Sequence, residues 1–200
     1  MTFEGFMVAP NNPEPPAIQL HLGCGKRYIP GFVHIDIADF PHIDYRHDIR
    51  TLPMLADDSV AVAYACHVLE YFDRIEVVDV LREWRRVLVP GATLFTAVPD
   101  FAALVDVYRQ HGELSLVLGP LFGRWQDPGG SQKVEPIYHR TTYDFGSLRT
   151  VLESAGFRDV NRYDWRNTIF RDYDDYSQAY IPHMDKEHGR LISLNVTCRK

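Results

Sequence analysis

Two apolar runs with glycines and an acid between them constrain this chain more than any other feature. The first run, Ile18-Gln19-Leu20-His21-Leu22, meets Gly23-Cys24-Gly25. The second, Val33-His34-Ile35, ends on Asp36, eleven residues after Gly25. A strand running into bulk-free glycines lets backbone approach a nucleoside closely, and an acid ending the next strand can accept hydrogen bonds from ribose hydroxyls. The spacing adds a constraint. Only seven residues, Lys26 to Phe32, separate Gly25 from the second run, whereas a parallel crossover normally takes a dozen or more with a full helix. The first crossover is therefore expected to hold one short turn or no helix at all.

Apolar runs at 18–23, 33–37, 43–46, 60–66 and 93–98 read as strands, and their weak alternation suits a parallel sheet buried on both faces. Asp73-Arg74-Ile75-Glu76 has the pattern of a capping box. A helix is expected to follow it through Val77, Leu81, Trp84 and Leu88, with Pro90-Gly91 ending it. Asp100 is expected to cap a second helix with Phe101, Leu104, Val105 and Tyr108 on one side and stopping at Gly112, and Asp144 a third running to Gly156. Residues 112–140 are rich in glycine and proline and read as a long, functional loop insertion. Strands near 158–163 and 191–197 complete the pattern. The expected fold is α/β: a Rossmann-like open sheet, mostly parallel, with an antiparallel last strand and a truncated first crossover helix. Residues 1–16, with four prolines, read as a mobile leader, and 17–200 as one domain carrying the insertion 112–140 and an aromatic C-terminal segment 163–183.

In the order of its segments the chain resembles the class I S-adenosylmethionine-dependent methyltransferases, in particular the small-molecule, type 11-like branch. Leu20-His21-Leu22-Gly23-Cys24-Gly25 is similar to that family's first motif, and Asp36 stands where its ribose-binding acid ends the second strand. Asp48 to Pro53 resembles the adenine-contacting segment. Ala65 to Phe72 resembles the segment after the fourth strand, and Glu83 to Ala92 the turn before the fifth. The resemblance implies S-adenosylmethionine as cofactor. It implies Gly23, Cys24 and Gly25 at the turn, Asp36 on the ribose, Ile37 and Leu52 on the two adenine faces, and Asp48 with the Ile49 backbone on the adenine edge. The His67 backbone would contact the ligand's amino group. Two departures stand out: Lys26-Arg27 replaces a small residue after Gly25, and the fourth strand lacks an acid near Ala61. Arg27 is thereby offered to the methionine carboxylate.

Methyl transfer from a sulfonium mainly requires alignment of donor and acceptor. A general base is needed only where the acceptor must lose a proton. Glu70, Asp100, His139 and His183 are the candidates for that role, His139 first. The expected acceptor is a small molecule methylated at oxygen or nitrogen; the alternative is a module that binds S-adenosylmethionine without turnover. A net charge of −6 gives no general attraction to nucleic acid or anionic membranes, and no apolar run approaches the roughly 20 residues needed to span a bilayer. Three well-separated cysteines imply no disulfide framework and point to a cytoplasmic setting. No His-x-x-x-His or Cys-x-x-Cys pair anchors a metal. A dinucleotide site is disfavoured, since its third small residue is Tyr28 here. The aromatic run from Tyr163 to Tyr180 reads equally as an acceptor pocket wall, an interface or a loop packed on the sheet.

Overall fold

A computed structural model describes residues 18–126 and 135–200; the expected leader lies outside them. The strands are β1 (Ile18–Leu22), β2 (Val33–Asp36), β3 (Tyr45–Arg46), β4 (Val60–Cys66), β5 (Leu88–Pro99), β6 (Arg158–Arg162), β7 (Tyr180–Ile181), β8 (Arg190–Leu191) and β9 (Ser193–Arg199). The main sheet has seven strands in the order β3-β2-β1-β4-β5-β9-β6. β1 to β5 pair in parallel, and β9 runs antiparallel between β5 and β6. This is the expected Rossmann-like sheet with its antiparallel strand, and no helix joins β1 to β2. No helix among the described residues is long and apolar enough to cross a membrane.

The first helix, α1 (Glu76–Val87), starts where reciprocal capping fixes it. Asp73 Oδ1 accepts from the Glu76 N–H at 2.9 Å, and Glu76 Oε1 accepts from the Asp73 N–H at 3.0 Å. Its stripe of Val77, Leu81, Trp84 and Val87 is fully buried. The helix ends at Val87, and Leu88 already pairs with Val60 in β5, so Pro90 and Gly91 lie within a strand rather than at a helix end. In α2 (Phe101–His111), capped by Asp100 and stopped by a left-handed Gly112, the expected face is turned: Ala103, Leu104 and Val107 are buried, while Phe101 and Tyr108 are exposed. The segment read as loop contains a helix, α3 (Ser115–Phe122), with Pro120 inside it. Asp144 caps α4 (Phe145–Ser154), closing a capping box with Ser147.

Strand alternation sorts the core into two faces. Leu20, Leu22, Ala63, Ala65 and Leu94 pack with α1 and α4 in the main core. The intervening residues face the opposite way, and no helix between β1 and β2 covers them. The aromatic segment takes that place. Phe170, 1% exposed, stacks on Tyr64 at 3.9 Å between ring centroids and meets Phe32 at 5.8 Å and Phe95 at 5.2 Å. Ile29 joins the same cluster. The residues 163–183 thus serve as the missing cover of the sheet.

Candidate functional site

A cavity of about 570 Å³ opens at the carboxyl ends of β1, β2 and β4, within the size range of ligand sites. Open α/β sheets bind their ligands at this edge. Its wall includes Gly23, Cys24, Gly25, Asp36, Ile37, Asp48, Ile49 and His67. Asp36 fastens the turn to the second strand: one carboxylate oxygen accepts from Gly25 N–H at 2.7 Å, the other from Ala38 N–H at 2.8 Å. Each oxygen keeps a lone pair for a further donor. Gly23 (φ +62°) donates its N–H to Ile35 O at 2.8 Å, and a Cβ there would meet Val68 Cγ2 at 2.5 Å. Nothing lies within 4 Å of where a Gly25 Cβ would stand. The turn is thus packed beneath and open toward the cavity. Burial, then the charge of Asp36, pushes the Cys24 thiol up to about 12, which keeps it protonated.

A charged network forms the cavity rim around Asp48. Asp48 accepts from the Arg50 N–H at 2.9 Å and from its guanidinium at 2.7 Å. Arg50 reaches Glu76 at 3.3 Å and lies 5.0 Å from the centre of the Phe72 ring; Arg140 joins the same Glu76 at 3.2 Å. Val68 and His67 turn the chain after β4, His67 at φ +53°. The His67 ring leans on Tyr176 at 5.3 Å, and its Nε2 lies 3.2 Å from Ser193 Oγ.

Five of the expected site residues are not among those lining the cavity. Leu52 is fully buried in the main core and does not line the cavity: its N–H donates to Glu83 at 2.7 Å, which turns the side chain inward. His139 stands behind the cavity wall. Its Nδ1 lies 3.0 Å from the Pro120 carbonyl, and burial holds its pKa below the ordinary imidazole value. Glu70 is fully buried between His67 Nδ1 (3.3 Å) and His139 Nε2 (3.8 Å), with no hydrogen-bond geometry to either. Asp100 is used up as the cap of α2 and pairs with Arg162 at 3.2 Å. His183 is exposed and lies away from the cavity wall.

The wall also contains residues that sequence reasoning did not single out. Tyr71, Trp125, Tyr138 and Arg140 roof the cavity, while Asp175 and Tyr176 close it from the aromatic segment. Trp125 and Ile137 exchange backbone hydrogen bonds at 2.9 Å, which pins both arms of the roof together. The density of aromatics and acids after Tyr163 was the available signal. Among the described residues, no cluster of three or more His, Cys, Asp or Glu could hold a metal ion.

A family model described as "Methyltransferase domain" matches residues 31–96. No curated protein matches the chain. Among solved structures, the chain is similar to an S-adenosylmethionine-dependent methyltransferase from Mesorhizobium loti, at 18% identity and a TM-score of 0.51, over 92% of this chain and 90% of that one. It is also similar to such an enzyme from Archaeoglobus fulgidus, at 15% identity and a TM-score of 0.53, over 92% and 86%. A third is the 1,6-didemethyltoxoflavin-N1-methyltransferase of Burkholderia thailandensis, solved with 1,6-didemethyltoxoflavin and S-adenosylhomocysteine (12% identity, TM-score 0.53, 92% and 71%). At these identities the likeness is one of fold. Glycine turn, strand-end acid and strand order give the chain the fold of these S-adenosylmethionine-dependent methyltransferases, and its residues 31–96 match the methyltransferase-domain model.

Proposed function

We propose that this enzyme methylates an oxygen or nitrogen atom of a small organic acceptor held under the aromatic roof of the cavity. The observation that carries this reading is the continuity of one cavity from Asp36 and the glycine turn to Tyr71, Trp125, Tyr138 and Tyr176. Donor and acceptor can therefore share one enclosed volume. The donor supplies an activated methyl group on sulfur; the protein's part is to bind, orient and shield. In this reading Gly23, Cys24 and Gly25 present backbone to the donor, and Asp36 accepts from the ribose hydroxyls through its remaining lone pairs. Ile37 covers one adenine face. Asp48 and the Ile49 backbone meet the adenine edge, and the His67 backbone meets the amino-acid end. The open side of Gly25 and the free lone pairs of Asp36 fit such a ligand. The flat, aromatic roof suits a ring-bearing acceptor. The Burkholderia thailandensis enzyme, solved with 1,6-didemethyltoxoflavin bound, supports a small-molecule acceptor.

Calorimetry with S-adenosylmethionine and S-adenosylhomocysteine tests the donor site, with Asp36→Ala as the informative variant. Loss of charge-assisted hydrogen bonds of about 1.5–3 kcal/mol should weaken binding roughly 10- to 100-fold. Turnover is then followed as S-adenosylhomocysteine release against a panel of phenols, heteroaromatics, amines and carboxylates. Tight donor binding with no turnover on any panel member would favour a binding module over an enzyme.

A further inference from the structure

The amino-acid end of S-adenosylmethionine carries an ammonium and a carboxylate, and both need partners near the glycine turn. Bases are at hand there: Lys26 and Arg27 line the cavity next to Gly25. With no helix between β1 and β2, side chains rather than a helix N-terminus must meet the carboxylate. For the ammonium, the reading above offers the His67 backbone but no carboxylate. Asp48 is paired with Arg50, and Asp36 belongs to the ribose side in the reading above.

Asp175 is the remaining carboxylate on the wall. It accepts from the Tyr64 hydroxyl at 2.5 Å through one oxygen and from Ser177 N–H at 2.8 Å through the other, so its position is fixed. Its neighbours Asp172 and Asp174 have cationic partners, Arg171 at 3.6 Å and Lys186 at 3.7 Å, whereas among the described residues Asp175 has none. The His21 ring lies 5.4 Å from the ring of Tyr64, whose hydroxyl holds Asp175. His21 is 2% exposed and lines the cavity, yet its Nδ1 has no hydrogen-bond partner among the described residues. Burial with His34 and His42 nearby lowers its pKa to about 3, so the ring is neutral and its Nδ1 can accept a proton donor. A fixed carboxylate without a cationic partner and a buried, unpartnered imidazole nitrogen on the same cavity wall describe a pocket for a cation with several N–H donors.

We propose that Asp175, with His21 at its side, holds the α-ammonium group of S-adenosylmethionine, so that the aromatic segment 163–183 completes the donor site. This rests on the methyltransferase reading. It adds a residue from beyond β6, outside every segment on which the family resemblance rests.

Calorimetry on Asp175→Asn with three adenosine probes separates the possibilities. S-adenosylhomocysteine carries both charged groups, its decarboxylated analogue carries the ammonium alone, and methylthioadenosine carries neither. The substitution should weaken the first two about 10- to 100-fold, as loss of a charged hydrogen-bond partner predicts. Methylthioadenosine should bind as it does to the wild type, which also shows that the variant is folded. Lys26→Gln with Arg27→Gln should give the complementary pattern, weakening S-adenosylhomocysteine and sparing the decarboxylated analogue. Equal weakening of all three probes by Asp175→Asn would overturn the proposal in favour of a purely structural role. Unchanged binding of all three, with a raised KM for acceptors, would overturn it in favour of an acceptor contact. Binding of methylthioadenosine by the wild type keeps the methyltransferase reading standing in either event.

Discussion

Replacing Phe170 by alanine should cost the protein about 3–5 kcal/mol. The ring is 1% exposed, lies flat on Tyr64 at 3.9 Å, and receives the edges of Phe32 and Phe95. A buried phenylalanine removes about 150–250 Å² from water. At about 25 cal/mol per Å² that corresponds to roughly 4–6 kcal/mol. The alanine that replaces it recovers part of this, and the cavity left behind adds back a comparable amount, which agrees with the range of about 3–5 kcal/mol for such truncations. For a chain of this size each kcal/mol moves Tm by about 2–4 °C, so the melting temperature should fall by roughly 6–20 °C. Urea denaturation followed by tryptophan fluorescence gives the free energy, and calorimetry gives Tm. Ile169→Ala is the control: its neighbour in sequence is 63% exposed and should change stability by less than about 0.5 kcal/mol. If Phe170→Ala costs less than about 1 kcal/mol, the aromatic segment does not serve as the cover of the sheet, and the account of the missing helix fails.

Gly23→Ala forces a left-handed residue at φ +62° and brings a methyl within 2.5 Å of Val68 Cγ2; about 2–5 kcal/mol of destabilisation, from roughly 1–2 for the backbone and 1–3 for overpacking, should appear in denaturation, with loss of S-adenosylhomocysteine binding. His139→Gln should reduce kcat by less than about tenfold, because the ring lies behind the cavity wall; a drop of 10²–10⁴, typical of losing a general base, would restore His139 to the chemistry. Glu83 is held below its ordinary pKa first by Arg86 and also by the Leu52 N–H. Its contribution is therefore complete above the unfolded value of 4.5 and is lost as pH falls through the lower folded value. Wild type should exceed Glu83→Gln in urea stability near neutral pH, and the gap should shrink in acid; a gap that does not change with pH would contradict this.

The parallel half of the sheet was readable because its strands are short apolar runs ending in turns, and the caps at Asp73, Asp100 and Asp144 announce their helices locally. The absent first helix was readable from the seven residues between Gly25 and Val33. Helix α3 was not, because Pro120 and the surrounding glycines are loop signals that packing of Val117 against α2 overrides. The site divides the same way. Gly23, Gly25 and Asp36 were legible because backbone geometry dictates them. Leu52, His139 and Asp100 stand off the cavity wall because each is oriented by a partner distant in sequence or by a cap. Asp175 and His21 depend on how residues 163–183 return to β4, which no local pattern encodes.

The cover supplied by residues 163–183 also sets an order of events. A chain leaves the ribosome N-terminus first, so the glycine turn, Asp36 and His67 emerge long before Phe170 and Asp175. Until then the nascent sheet presents Phe32, Tyr64 and Phe95 on a bare face. The Tyr64–Asp175 hydrogen bond spans 111 residues, and contacts of such separation form late because loop closure must precede them. The glycine turn and Asp36 are thus made early, but the wall that Asp175 and Tyr176 add to their cavity is present only once the fold is complete.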